Sequence, residues 1–192
     1  MNSDYEDAMA VARVFCGDSG DQAAPHYSDG SVYATDGRIA LAIHDVECLA
    51  SIPNSNSPLC GRIRDLFCDA NEARVVGMCH MVPMPAMEQA LRTVLREVAV
   101  KVCANVLGGF GLEDAGVILE DGYVVAAHYA QKVFSMYGEL GDPDGEVCGW
   151  IRGIEHPVLF RGRRWEIVLM PLRVSEGILA EVRNGSLVSN GN

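Results

Sequence analysis

Apolar positions recur along this chain with two spacings, and the spacing assigns most of its elements. In residues 4–15, DYEDAMAVARVF, Met9, Val11, Ala12 and Phe15 fall at near-helical intervals and predict a first helix. Residues 17–30 carry Gly, Pro and Asp without periodicity and predict a polar loop. In residues 31–44, SVYATDGRIALAIH, two apolar runs flank Asp36-Gly37. Val32 and Ala34 alternate with Tyr33 and Thr35, and a second run extends from Ile39 to Val46. Glycine accepts positive φ without steric cost, so this stretch predicts a β-hairpin.

The middle of the chain reads differently. Residues 50–58 are rich in Pro, Asn and Ser and predict a loop, followed by a short helix over Arg62–Asp69 and a strand over 75–82. Residues 84–103 predict the longest helix: Met84, Met87, Leu91, Val94, Leu95, Val98 and Val102 form one apolar stripe behind Pro83 and Pro85. Glu88–Arg92 and Glu97–Lys101 are favourable i,i+4 pairs on its other side, and the stripe reads as core packing. Val117–Val125 predicts a second hairpin turning at Glu120-Asp121-Gly122. A helix over 126–137 follows, with Ala126, Tyr129, Ala130, Val133 and Phe134 on one face and Gly138 as its stop. Strands are predicted over 147–154, 158–161 and 164–169, the last alternating Trp165, Ile167 and Leu169, with a frayed tail from about Ser186. The order of elements is that of an α+β fold with mostly antiparallel pairing.

Composition narrows the class. The 192 residues suffice for one sizeable core, and 49% hydrophobic with 21% charged is the balance of a soluble globular protein. No run reaches the roughly 18 apolar residues of a membrane span, and the acidic N-terminus lacks the basic start of an export signal. The expected location is cytoplasmic. Seven scattered cysteines, an odd number, read as small buried hydrophobes in a reducing compartment, not as a disulfide framework. The net charge of −11 speaks against wholesale nucleic-acid binding but leaves room for a local basic face. Positive charge gathers at Arg161, Arg163 and Arg164, which read as a solvated hairpin tip with a nucleic-acid patch as the alternative.

Motifs for chemistry are sparse. The chain has no GxxxxGK[ST] and no HExxH, and Gly108-Gly109-Phe110-Gly111 lacks the flanks of a phosphate loop. Cys60, Cys68, Cys79 and His80 do not have the paired spacing that closes a tetrahedral metal site. His44-Asp45 and the other histidines permit a nucleophile–base site without singling one out. The expectation is no catalytic residue, no metal and no cofactor.

Three segments carry a family resemblance. Ala34-Thr-Asp-Gly-Arg-Ile-Ala-Leu-Ala42 resembles a hairpin of the bacterial DNA polymerase III β sliding clamp. Trp165-Glu-Ile-Val-Leu-Met-Pro-Leu-Arg173 resembles that family's closing strand, preceded by His156-Pro-Val-Leu-Phe160, which is similar to its Pro-Val-Leu segment. Val125–Tyr137 is similar to a clamp helix. The matches cover 5–16, 27–46 and 117–173. The resemblance implies a single DNA-clamp-like domain over 1–175, built of two βαβββ halves with antiparallel sheets. It leaves a helical insertion at about 49–114 and a partly disordered extension at 176–192.

On this resemblance, Thr35, Asp36, Gly37, Arg38 and Ile39 form one side of a groove for a short apolar peptide, and Met170, Pro171, Leu172 and Arg173 form the other. Helices 5–15 and 126–137 would face double-stranded DNA and offer Arg13 and Lys132 as candidate contacts, with Arg161, Arg163 and Arg164 as further candidates on the patch reading. The chain departs from the family in carrying one such domain where family chains carry two or three, and in running on past Arg173. In the family the two groove segments come from adjacent domains, so here a shared groove would call for self-association into a homo-oligomer. The expected function is a non-catalytic sliding-clamp-like accessory of replication or repair that acts through protein contacts, with DNA contact open. The alternatives are a stand-alone interaction module that does not touch DNA and, more remotely, a Cys/His enzyme.

Overall fold

The computed structural model describes residues 3–48, 53–77, 80–83, 89, 91–93, 116–118, 123–139, 148–153 and 155–172. Its elements are α1 (Ser3–Arg13), β1 (His26–Ser28), β2 (Ser31–Thr35), β3 (Ile39–Ile43), α2 (Pro58–Val75), β4 (His80–Pro83), β5 (Gly116–Ile118), β6 (Val124–Ala126), α3 (Ala127–Glu139), β7 (Cys148–Ile151), β8 (Val158–Arg161) and β9 (Trp165–Leu169). Seven strands form one antiparallel sheet in the order β1-β2-β3-β9-β8-β7-β4, and β5 pairs with β6 in a second, two-stranded sheet. The architecture is α+β, as the pattern of elements predicts. Among the described residues no helix is long and apolar enough to cross a membrane.

The large sheet contains an internal two-fold. One run, α1-β1-β2-β3, and a second, α3-β7-β8-β9, meet where β3 pairs antiparallel with β9. Leu41 opposes Ile167 at the centre, with Ile39 opposite Leu169 and Ile43 opposite Trp165 at the ends. A strand, β6, precedes α3; among the described residues none precedes α1.

Both faces of the central strands are buried. On one face Val32, Leu41, Phe160, Trp165 and Ile167 pack against Ala8, Ala12 and Phe15 from the α1 region and Ala130 and Val133 from α3. On the other, Tyr33, Ala40, Ala42, Leu159 and Val168 pack against Leu59, Cys60, Ile63 and Phe67 of α2. Two alanines of β3 lie on the α2 side, where small side chains allow a helix to approach closely. The near-continuous apolar runs IALAI and WEIVL suit strands covered twice. The half-polar alternation predicted for the first hairpin therefore gives way to burial at every position of β2 and β3.

Several expectations are corrected. The loop predicted over 17–30 contains β1, which turns into β2 through Asp29 and Gly30, both at positive φ (51° and 76°), as a tight two-residue hairpin requires. The short helix expected at 62–69 is the 18-residue α2. It starts where Ser57 Oγ accepts the Leu59 N–H at 3.1 Å and Pro58 takes the first turn. Gly138 does not stop α3, which runs to Glu139. The last two residues predicted for the first helix tighten into a turn, with the Val14 and Phe15 N–H groups donating to the Val11 and Ala12 carbonyls. α1 ends at Arg13, and Phe15 is buried beyond it. Of the strand expected over 147–154, Cys148–Ile151 is β7 and Arg152 and Gly153 lie beyond it, while 147 and 154 lie outside the described residues.

The hairpin over 117–125 forms as β5–β6, and the apolar face of α3 is buried as expected. Of the helix predicted over 84–103, Gln89 and Leu91–Thr93 are helical and Leu91 is buried. The rest lies outside the described residues, as do the 142–145 turn and the tail.

The β8–β9 connection is held by one tight contact. A Cβ on Gly162 would stand 2.3 Å from the Trp165 indole, whose side chain is fully buried. Gly162→Ala should lower unfolding stability by about 1–3 kcal/mol, as an overpacked core site does, read as a shift of the urea midpoint without change in slope. An unchanged midpoint would mean that the indole moves freely aside.

Candidate functional site

The β2–β3 turn is built by its own side chains. Thr35 Oγ1 donates to the Ile39 carbonyl at 2.7 Å and accepts the Gly37 N–H at 2.9 Å. Asp36 Oδ1 accepts the N–H groups of Arg38 and Ile39 at 2.9 and 3.0 Å. Gly37 sits at φ +91°, a conformation that side chains rarely adopt. The sequence Thr-Asp-Gly thus specifies a rigid turn whose polar groups are spent locally, as aspartate and threonine do in such turns.

The chain leaving β9 runs against this turn. Met170 N–H donates to the Arg38 carbonyl at 2.9 Å, directly after the Ile39–Leu169 pair. Leu172 N–H then donates to the Val124 carbonyl at 2.8 Å, so Met170–Leu172 bridges from the large sheet to the small one. Met170 is 41% exposed, while Pro171 and Leu172 are half-buried. The residues Thr35–Ile39 and Met170–Leu172 therefore meet within a single chain. The expectation that their meeting would need self-association is overturned by the β3–β9 pairing. Arg173 lies outside the described residues.

Helix α3 completes this corner. Lys132 Nζ lies 3.9 Å from Asp36 Oδ2 and 5.3 Å from the centre of the Tyr129 ring. Burial, and then the neighbouring Asp36 carboxylate, push the Tyr129 hydroxyl up to about 12. Cys16, just past α1, has a half-buried thiol that burial pushes up, with Asp36 and Lys132 in electrostatic reach. The corner thus presents an apolar segment leaving β9, an exposed Arg38, and a turn clamped by α3.

The candidate DNA contacts divide between two ends of the sheet. Arg13 closes α1, and Lys132 stands at the corner. Arg161, Arg163 and Arg164 lie at the far end of β9, about 17 Å away for a five-residue strand. Arg164 is held by Asp4 at 3.0 Å and by the Asp45 carbonyl at 2.7 Å, which ties the start of α1 to the end of β3. The Arg164 hydrogen bond holds the Asp4 carboxyl below its usual range. Arg161 Nε lies 3.4 Å from Glu166.

A polar row at this far end escaped the sequence reading. Ser31 Oγ lies 3.3 Å from His44 Nδ1, and His44 Nε2 lies 3.2 Å from Glu166 Oε2. Glu166 Oε1 accepts from Asn71 Nδ2 at 2.8 Å, and Arg161 donates to Asn71 Oδ1 at 3.2 Å. The signal was a lone acid in WEIVL on the face that β3 lines with alanines, although nothing local named its partners. The row has the composition of a nucleophile–base–acid relay. Yet Ser31 is only 7% exposed, and the acid is 6% exposed and shared with Asn71 and Arg161. It acts as a clasp between the sheet and α2. Among the described residues no group of three or more His, Cys, Asp or Glu is placed to hold a metal ion.

A separate concavity of about 270 Å³ opens between α2 and strands β7 and β8, over Trp150 and Leu159. It lies on the sheet face opposite α1 and α3, away from the turn. Comparison of the chain with protein-family models, with curated proteins and with solved structures gives no match to any of them.

Glu166 supplies a pH test. Burial alone would raise its pKa, but hydrogen bonds from His44 and Asn71 and the Arg161 charge outweigh burial and hold it below the usual carboxylate range. Such a group contributes stability above its unfolded value, near 4.3, and loses that contribution as pH falls through the lower folded value. Glu166→Gln should cost about 1–3 kcal/mol at pH 7. The difference from wild type should shrink below about pH 4 in urea titrations. A difference that is constant with pH would remove the carboxylate from this role.

Proposed function

We propose that this chain is a non-catalytic interaction domain of sliding-clamp-like fold, which receives a short apolar peptide of a replication or repair partner at the Thr35–Ile39 and Met170–Leu172 corner. The reading is carried by one observation: two segments that resemble the two sides of the clamp groove lie side by side in a single chain, joined by the Met170–Arg38 hydrogen bond. The internal α-β-β-β duplication supports it, since it agrees with the βαβββ halves of such a domain in all but the leading strand, which among the described residues precedes α3 and not α1. The exposed Met170 supplies an apolar anchor point, and the self-satisfied turn supplies a rigid wall, which is what peptide recognition by a preformed groove needs.

Of the two forms of this reading, the one without DNA is favoured. Lys132, Arg161 and Arg164 place their charge on Asp36, Glu166 and Asp4, and the chain carries a net charge of −11. A DNA track needs several cations free to displace counterions from successive phosphates.

A fluorescently labelled short peptide with leucine and phenylalanine anchors should bind the full chain saturably. Met170→Ala should weaken that binding about tenfold, the change expected when one buried anchor of roughly 1.4 kcal/mol is lost. Duplex DNA should show no salt-sensitive binding even at low ionic strength. Peptide affinity unchanged by Met170→Ala would remove the corner as the docking site, and tight DNA binding with a steep salt slope would restore the tracking form.

A further inference from the structure

The concavity under α2 is unrelated to the corner, and its chemistry is specific. Its floor is apolar: Leu66, Ala70 and Ala73 from α2 face Trp150 of β7 and Leu159 of β8. Trp150 and Leu159 are register partners across the β7–β8 ladder, so the indole is fixed from the sheet side. The volume, about 270 Å³, stands at the small end of ligand sites and suits one or two fused rings. An aromatic wall favours a flat aromatic guest, which can stack or meet it edge-on.

The rim carries charge that has no partner among the described residues. Asp69, Arg152 and His156 all line the opening. Among the described residues none of these three side chains has a hydrogen-bond or ion-pair partner. The guanidinium of Arg74 stacks 5.5 Å from the centre of the Trp150 ring, and its Nε is buried without a partner. The lining itself holds one arginine and one aspartate; counted with the Arg74 guanidinium held over the Trp150 ring, these groups carry a surplus of one positive charge, in a chain whose net charge is strongly negative. Groups of this kind elsewhere in the molecule, Asp4 with Arg164 or Glu166 with Arg161, are paired.

We infer that this cleft is a binding site for a small aromatic monocarboxylate, its ring against Trp150 and its carboxylate toward Arg152 and His156. An arginine fork accepts a carboxylate in two parallel hydrogen bonds, so Arg152 sets the charge preference and the Trp150 floor sets the shape. A single carboxylate neutralises the local surplus, and a dianion overshoots it. The site is formed by α2 and the β7–β8 half of the sheet, and it owes nothing to the corner at the opposite face.

The two tryptophans make the test internal. Trp165 is fully buried on the other face, so its indole N–H resonance serves as the reference for that of Trp150. In the ¹⁵N-labelled full chain, 3-phenylpropionate should shift the Trp150 indole signal saturably and leave that of Trp165 in place. Arg152→Gln, at an exposed site that does not disturb the fold, should weaken binding about tenfold. Ala70→Leu, which fills the cleft, should abolish it while the remaining amide spectrum is kept. Neutral 3-phenylpropanol should bind at least tenfold more weakly, as should adenosine monophosphate. Absence of any Trp150 shift at millimolar 3-phenylpropionate would overturn the assignment. Equal binding of the alcohol or tighter binding of the nucleotide would do so too, as would an Arg152→Gln chain that binds as wild type.

Discussion

The pairing of β3 with β9 is the constraint on which the molecule is built. It joins residues 39–43 to residues 165–169 across most of the chain length, and it is covered by helices on both faces. Register in a sheet is enforced by whichever face must stay dry. Here both must, so a one-residue slip would carry Trp165, Ile167 and Leu169 to the α2 side. Glu166 would then enter the core under α1 and α3. Among the described residues the buried cluster there is hydrophobic, and burying an unpaired charge costs several kcal/mol. The single acid in this strand therefore does double duty: paired on one side, it forbids the other.

Once that register is fixed, the two ends of the pair follow. At one end Ile39 opposes Leu169, which leaves the Thr-Asp-Gly turn facing the chain that exits β9. At the other, Ile43 opposes Trp165, which delivers His44 and Arg164 to the same place. His44 N–H donates to the Arg164 carbonyl at 2.7 Å, and the side chains of both continue into clasps that hold α2 and α1. The far end spends its charge on keeping three layers together, whereas the corner leaves Arg38 and Met170 at the surface. The same ladder thus separates a structural end from an end with surface to offer.

How much of this is legible without coordinates varies by element. The hairpin at 31–44, the face of α3 and the strand at 165–169 are long apolar patterns beside strong turn residues, and sequence reading finds them. β1 is missed because its three residues, His-Tyr-Ser, have no apolar period; only the Asp29-Gly30 dipeptide marks it. The length of α2 is missed because Gly61 and its many polar residues hide the stripe, though Ser57-Pro58 is a readable start. Burial on both faces could have been inferred from IALAI, where no polar position alternates. The Ser31–His44–Glu166–Asn71 row could not, since its members lie up to 135 positions apart in sequence and only the sheet order aligns them. The adjacency of Thr35–Ile39 and Met170–Leu172 was likewise invisible, because it depends on β3 meeting β9 and on nothing local to either.

The α2 layer changes what the sheet can do. Strands β1, β2, β3, β9, β8 and β7 with α1 and α3 would already form a two-layer unit with one exposed face. Adding α2 covers the β2–β3–β9–β8 part of that face, through Phe67 and Ile63 on Ala40, Ala42 and Val168, and stops short of full contact over Trp150. A helix is straight while an antiparallel sheet twists, so a helix seated flat on the central strands must diverge from the outer ones. The concavity lies where that divergence falls, between the α2 residues 66–73 and the outer strands β7 and β8. Among the described residues Asp69, Arg152 and His156 gather there beside Trp150 without side-chain partners because the geometry, not the composition, keeps the layers apart. The surface at the corner and the space under α2 thus have independent origins: one is set by the end of the β3–β9 ladder, the other by a flat helix over a twisted sheet.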